Sequence, residues 1–434
     1  MQPSRYRRVI LSWRVGGRPA SAVAGTAQGC ALISNRKGQT AVLLGCAVGC
    51  YGLADAVLCT TTSLFLADAV RAGPLLIGLF FTGRAATGIG VNLAAGWLSD
   101  RLRDRRVMLG LGSVAGAVGA VAFMVTRDYV TVFVTGVVFF SLSGVSYPQL
   151  FAYATQFAET TGRPVTSFTS AARAAFSAAW VVGPPLGFCL LTRFGFAPMY
   201  AATGGLFLAA AVLGRWCLPA LRPRPWAGND PRARRDRRGL PSVLAALPRR
   251  TWLLLGAVIA LGMADQMYNI GIALYVTMDR HLAAALVGWL AGTCAVLEIP
   301  IMITAGRVAD RRSKLRVLTA AAIVATVFFC VLPAAGSAPV LLALQLPNAA
   351  WIAVALSIPM IMVQQEAPSG LGTSSTLYGS AYMTAALLAG ATTGVTAAQI
   401  GYGNVFWVCA ALCLLGTALL VSRSYASGDG RTST

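Results

Sequence analysis

Apolar runs of about twenty residues recur along almost the whole chain, broken by short clusters of Pro, Gly and charged residues. As a helix rising 1.5 Å per residue, such a run covers the hydrocarbon core of a bilayer. The pattern predicts twelve helices, at about 40–66, 75–98, 107–126, 130–156, 165–191, 196–218, 251–277, 283–305, 316–333, 338–363, 371–397 and 402–421. The ten-residue alternation of a membrane β-barrel does not occur. One long polar stretch, 219–250, falls near mid-chain and leaves six spans on either side. The expected fold class is therefore an all-α membrane protein with twelve transmembrane helices in two six-helix bundles. The expected organisation is an N-terminal arm over 1–39, bundles over 40–218 and 251–421 around the 219–250 loop, and a tail over 422–434.

The two halves repeat each other. GLAD at 52–55 returns as GMAD at 262–265, and at the same offset of 210 SLFL (63–66) meets ALYV (273–276). IGLF (77–80) then meets VGWL (287–290), and GWLSDRLRDRR (96–106) meets GRVADRRSKLR (306–316). Parallel repeats with a binding site between them near the midplane suit a transporter that rocks about that site.

Composition agrees: 56% of residues are hydrophobic and only 11% charged, against about 25% charged in an ordinary globular protein. The net charge of +21 changes the picture only by its placement. The arm 1–38 carries seven basic residues and no acidic ones, and 220–250 carries nine arginines. The alternate connections hold single arginines, Arg71, Arg127, Arg193 and Arg280. This asymmetry is the positive-inside pattern, which puts both termini in the cytoplasm and argues against a nucleic-acid partner. Most of the ten cysteines lie within apolar runs and form no CxxC pair; His281 is the single histidine. No metal site, disulfide framework or cofactor is expected, and no nucleophile–base set points to an enzyme.

Five ionisable residues fall inside the spans: Asp55, Arg84, Arg173, Asp265 and Glu298. Each such charge costs about 2.5–3.5 kcal/mol at the centre of a bilayer on insertion scales. Residues retained at that cost face an aqueous cavity or one another. Two cations against three anions leave one carboxylate without a partner, the chemistry of a proton-coupling site. Asp55, Asp265, Glu298 and Arg84 are the coupling candidates. Around them lie Asn92, Gln149, Trp180, Gln266, Tyr268, Asn269, Gln345 and Asn348. Amides and aromatic rings suit a sugar, which has polar edges and apolar faces; the same residue types also join helices to one another in membranes.

GWLSDRLRDRR and its copy resemble the loop signature of the major facilitator superfamily. Gly96 and Gly306 would allow close helix contact, and Asp100, Arg101, Asp310 and Arg311 would form a charge latch between conformational states. PQLFA (148–152), AWVVGPPLGF (179–188), GTCAVLEIPIMITAG (292–306) and LQLPNA (344–349) resemble the bacterial sugar efflux transporter family. SLFL at 63–66, IGLFFT at 77–82 and TGIGV at 87–91 fit as well. The resemblance implies the major facilitator fold over residues 40–421, an arginine at the position of Arg173 for binding, Glu298 for coupling and a monomer in the bacterial inner membrane. GPPLG (183–187) is similar to the antiporter signature of efflux members, and Gly183, Pro184, Pro185 and Gly187 would form a hinge. Phe188 stands where that signature has another glycine. The fourth span lacks the buried arginine of drug–proton antiporters, which favours sugars over drugs. The expected activity is export of small sugars or glycosides in exchange for protons. A multidrug or natural-product pump and a non-transporting sensor are the rivals.

Overall fold

A computed structural model describes residues 20–99, 104–162, 164–221, 247–366 and 370–428. Contacts group the chain into two units, 1–42 and 43–434. Helix α1 runs Ala20–Leu64 and continues to Ala69 in π geometry. Its start is earlier than the expected 40: Pro19 stands just before it and nothing in 20–40 stops a helix. Apolarity, which located the span, does not mark where helix begins.

The other helices are α2 (Pro74–Ser99), α3 (Arg105–Val125), α4 (Tyr129–Thr161), α5 (Val165–Phe194), α6 (Phe196–Cys217), α7 (Arg249–Asp279), α8 (Ala285–Arg311), α9 (Lys314–Ala334), α10 (Ala338–Glu366), α11 (Gly370–Ile400) and α12 (Tyr402–Gly428). Twelve helices among the described residues are long and apolar enough to cross a membrane. Large apolar side chains such as Leu111, Val121, Leu208, Ile323 and Val327 point outward from the bundle, as a hydrocarbon surrounding demands.

The repeat is written into the backbone. Phe65–Ala69 and Tyr275–Asp279 both leave α geometry for a π turn at the same offset of 210. The loops that follow place Arg71 at φ 58° and His281 at φ 53°, left-handed conformations that residues with side chains seldom adopt. Their hydrogen bonds match: Val70 N–H donates to Phe65 O and Ala72 N–H to Leu66 O, as Arg280 does to Tyr275 O and Leu282 to Val276 O. In α5 and α11 the offset becomes 206. Gly195 (φ 84°) and Gly401 (φ 85°) close these helices, and Gly52 packs on Phe176 and Ala179 as Gly262 packs on Tyr382 and Ala385.

Two seams hold the halves together. A Cβ on Gly78 of α2 would lie 2.6 Å from Gly390 O and from Gly394 Cα of α11. A Cβ on Gly288 of α8 would lie 2.9 Å from Pro184 O and 3.0 Å from Phe188 Cβ of α5. The two seams are copies of one contact. Further along the same helices the glycines are free: Gly88, Gly90, Gly306 and Gly379 have nothing within 4 Å of a Cβ. The seams thus lie toward the face carrying the connections 70–73 and 280–284, and the glycines with open space lie toward the face where 100–104, 218–248 and 312–313 connect helices. This second, arginine-rich side is called the basic face below.

Each half is fastened separately near that face. Asp104 caps α3 by accepting from Arg106 N–H at 3.0 Å and pairs with the Arg106 guanidinium at 2.7 Å. These hydrogen bonds hold the Asp104 carboxyl below the usual range. Arg106 Nη1 also donates to Leu218 O at 2.7 Å, tying α3 to the end of α6. In the other half Arg423 of α12 pairs with Glu366 of α10, which accepts from Thr251 Oγ1 of α7 at 3.0 Å.

Candidate functional site

A cavity of about 270 Å³ lies between the halves. Arg84 and Gln266, which line it, fall near the middle of the 22-residue span Pro74–Ala95 and the 31-residue span Arg249–Asp279, so the cavity is at mid-depth. From α1 and α2 it is lined by Cys59, Phe81, Arg84 and Asn92; from α4 and α5 by Phe140, Ser141 and Trp180. From α7 and α11 come Gln266, Asn269, Tyr382, Met383 and Ala386. α4 can reach the cavity because it is broken at its centre: π geometry over Gly136–Phe140 and a turn at Gly144–Val145 bring Ser141 and Gly144 to the wall.

Five expected site residues, Asn92, Trp180, Gln266, Asn269 and Arg84, meet at this cavity. The buried Nε1 of Trp180 has no hydrogen-bond partner among the described residues. It is the Trp180 ring that lines the cavity, while this donor is closed off from it. Gln149 is buried with its Oε1 also unpartnered, but it does not line the cavity.

Three expected ligand residues belong elsewhere. Tyr268 donates its hydroxyl to Gln345 Oε1 at 3.3 Å, and Asn348 Nδ2 donates to the same oxygen at 3.0 Å. Gln345 Nε2 donates to Leu341 O, and Trp351 Nε1 to Asn348 Oδ1 at 3.0 Å. Gln345 and Asn348 are fully buried. This closed network joins α7 to α10 behind the cavity wall; it spends the polar groups on one another and leaves none for a ligand. Arg173 is exposed, with its guanidinium 5.8 Å from the centre of the Phe151 ring. It lies outside the lining of the cavity.

The carboxylates differ sharply. Asp55 is half-buried; Cys59 Sγ donates to its Oδ1 at 3.8 Å, and Arg84 Nη2 donates to the same sulfur at 3.8 Å. A thiol thus bridges acid and guanidinium. Asp265 is only 5% exposed. Its partners are neutral: Tyr382 hydroxyl at 3.2 Å from Oδ2 and Asn269 Nδ2 at 3.4 Å from Oδ1. Glu298 is half-buried, has no hydrogen-bond partner among the described residues and does not line the cavity.

The latch candidates split. Asp100 and Arg101 lie outside the described residues, and Gly96 sits near the end of α2. Asp310 and Arg311 are exposed, and Gly306 has open space beside it rather than the close helix contact expected. Pro184 and Pro185 stay inside one continuous helix and form a seam against Gly288 and Gly292; Gly183 and Gly187 pack on Ala56 and Val57 of α1.

Sequence reasoning missed Tyr382, Cys59 and Ser141. Cys59 and Asn269 each follow an acid by four residues, the spacing of neighbours on one helix face. That spacing was a usable signal. Tyr382 and Ser141 carried none, since no Asp, Glu, Lys or Arg stands near them on α11 or α4.

A family model described as Major Facilitator Superfamily matches residues 44–382 and 253–433. The chain is 34% identical over 374 residues to Sugar efflux transporter A of Escherichia coli (strain K12), covering 85% of this chain and 92% of that protein. It is 34% identical to Sugar efflux transporter B of Salmonella typhimurium, covering 86% and 92%. Among solved structures, a mutant of the nucleoside transporter NupG superposes with a TM-score of 0.77 at 11% identity over 88% of this chain and 99% of that one. A bacterial homologue of the iron transporter ferroportin, in an inward-facing state, gives 0.68 at 14% identity over 89% and 98%. These structures share the fold. With its twelve spans in two repeated bundles and relatives matched over nearly their whole length, this multi-pass membrane protein belongs to the Major Facilitator Superfamily and, within it, to the sugar efflux transporter family.

Proposed function

We propose that the protein exports small sugars or glycosides by alternating access, in exchange for protons. The observation that carries this reading is the cavity at mid-depth between repeated halves, sealed on one side by glycine seams and lined by both ring faces and hydrogen-bonding edges. Trp180 and Phe81 offer faces for a sugar ring, and Arg84, Asn92, Gln266 and Asn269 offer donors and acceptors for its hydroxyls. The sugar specificity comes from the relatives' names. Loading from the basic face, taken as cytoplasmic by the positive-inside pattern, is the step an exporter needs first. Both termini then lie in the cytoplasm and the protein works as a monomer in the bacterial inner membrane. The bundles run over 40–218 and 251–421. In the outward-open state the ends of the halves at the basic face come together, and Gly306, Asp310 and Arg311 form a latch with the 96–101 segment.

The driving force suffices. One proton moving through about 100 mV releases roughly 2.3 kcal/mol, and one pH unit adds about 1.4 kcal/mol. Together they sustain a gradient of about 400-fold for a neutral solute. The test is uptake of labelled glucose, sucrose and lactose into inverted vesicles. ΔpH-dependent sugar accumulation is expected. Accumulation of a hydrophobic drug with none of the sugars would give the site to a multidrug pump.

A further inference from the structure

Resting on the antiport reading, we propose that Asp265 carries the coupled proton and releases it through a water-sized port of its own, separated from the sugar cavity by Tyr382. Asp265 does not line the 270 Å³ cavity. It lines a second cavity of about 10 Å³, with Gly262, Ala355, Leu356 and Tyr378 around it. That volume holds about one water molecule. Tyr382 lines both cavities and donates its hydroxyl to Asp265. It is a wall with the sugar on one side and the carboxylate on the other.

The small cavity lies on the basic-face side of Asp265. Gly262, Leu261 and Val258 precede Asp265 on the helix that rises from that face, and Tyr378 precedes Tyr382 on α11 in the same sense. Its outer end is at Tyr378, whose hydroxyl donates to Leu356 O at 3.1 Å in an exposed position. Asp265, Tyr378 and Tyr382 give a water there its polar partners.

The charges around Asp265 fit a proton carrier. On its own helix the neighbours are Asn269 and Tyr268. α11 adds Tyr378 and Tyr382; α8 adds Cys294 and Glu298; α12 adds Cys409 and Cys413. α10 adds only unionisable groups at the cavity, among them Ala355 and Leu356. None of these is a cation. At the position 210 residues after Arg84 stands Cys294, so the half that holds Asp265 has a thiol where the other half has its guanidinium. The step is a proton exchange: the neutral acid of Asp265 gives its proton to a water at the port, leaving a carboxylate and a hydronium that departs toward the basic face. The reverse occurs when the opposite face opens.

The test needs no sugar. A pH jump on the purified full-length protein is followed by infrared difference spectroscopy, with the carboxylic acid band of Asp265 identified by its loss in Asp265→Asn. Ala355→Phe fills the port, and Met383→Trp fills the sugar cavity. Ala355→Phe is expected to slow the band's response by at least about tenfold, while Met383→Trp leaves it within about twofold. If Ala355→Phe does not fold, Leu356→Trp at the outer end serves in its place. The proposal is overturned if Met383→Trp slows the response instead, or if filling the port changes nothing and the small cavity is a packing void only. Normal proton exchange at Asp265 with no ΔpH-driven sugar movement would remove the antiport reading and leave the port standing.

Discussion

Asp55 and Asp265 occupy the same register of two copied helices, yet one is partnered by charge and the other by neutral groups. The cause is three substitutions between the copies. Cys59 corresponds to Asn269, Arg84 to Cys294, and Phe176 to Tyr382 at the 206 offset of α5 and α11. In the first half acid, thiol and guanidinium form a chain at the larger cavity. In the second, an amide and a phenol hold the acid behind the wall. A duplicated scaffold thus supplies two sites of equal geometry, and a few side chains divide the work. The cavity wall is divided in the same way: Trp180 faces it from α5, and Ala386, its counterpart in α11, faces it from the other half.

The strongest way to break this division is to remove each acid in turn. Asp265→Asn is expected to abolish ΔpH-driven export, so that a one-unit gradient no longer gives its about tenfold accumulation. Asp55→Asn is expected to keep coupling and weaken sugar binding, because it frees Arg84 inside the cavity. Vesicle uptake with and without a pH gradient separates the two, and equal loss of coupling in both would end the distinction.

Next come the seams, where the halves are predicted to behave alike. Gly78→Val and Gly288→Val each force a side chain into space already filled. Overpacking of this kind costs about 1–3 kcal/mol, and it falls only on the state closed at the seam. The balance between states is then expected to shift by about 5- to 150-fold, read as labelling of cysteines introduced at the outer face. Unequal shifts would show that the two seams are not interchangeable.

Trp180→Phe trims the ring face that lines the cavity. A rise in sugar KM of about fivefold, or about 1 kcal/mol, is expected. The smallest effect is outside the membrane. Asp104→Ala removes the cap of α3 and is expected to cost about 1 kcal/mol, seen as a lower Tm. Because the Asp104 carboxyl is held below its usual range, its contribution is present above the ordinary carboxylate pKa. It is lost as the pH falls through the lowered value.

The twelve spans, the register of the repeat and the family were legible in the sequence, since span length and duplicated Gly, Asp and Arg survive without knowledge of packing. So were the costly ions, because any charge inside an apolar run stands out. Their roles were not legible. Arg173 stands out equally, yet it lies over Phe151 away from the cavity, and Gln345 and Asn348 look like ligand groups yet serve a buried network.

The sequence by itself determined how many helices cross, where the copies align and which ions must be accommodated. Tertiary packing decided which face of each helix meets the cavity, because a span apolar on every side has no polar stripe to orient it. It also decided that Tyr382 reaches Asp265 and that glycine seams join α2 to α11 and α5 to α8, since both depend on how separate helices are rotated against each other.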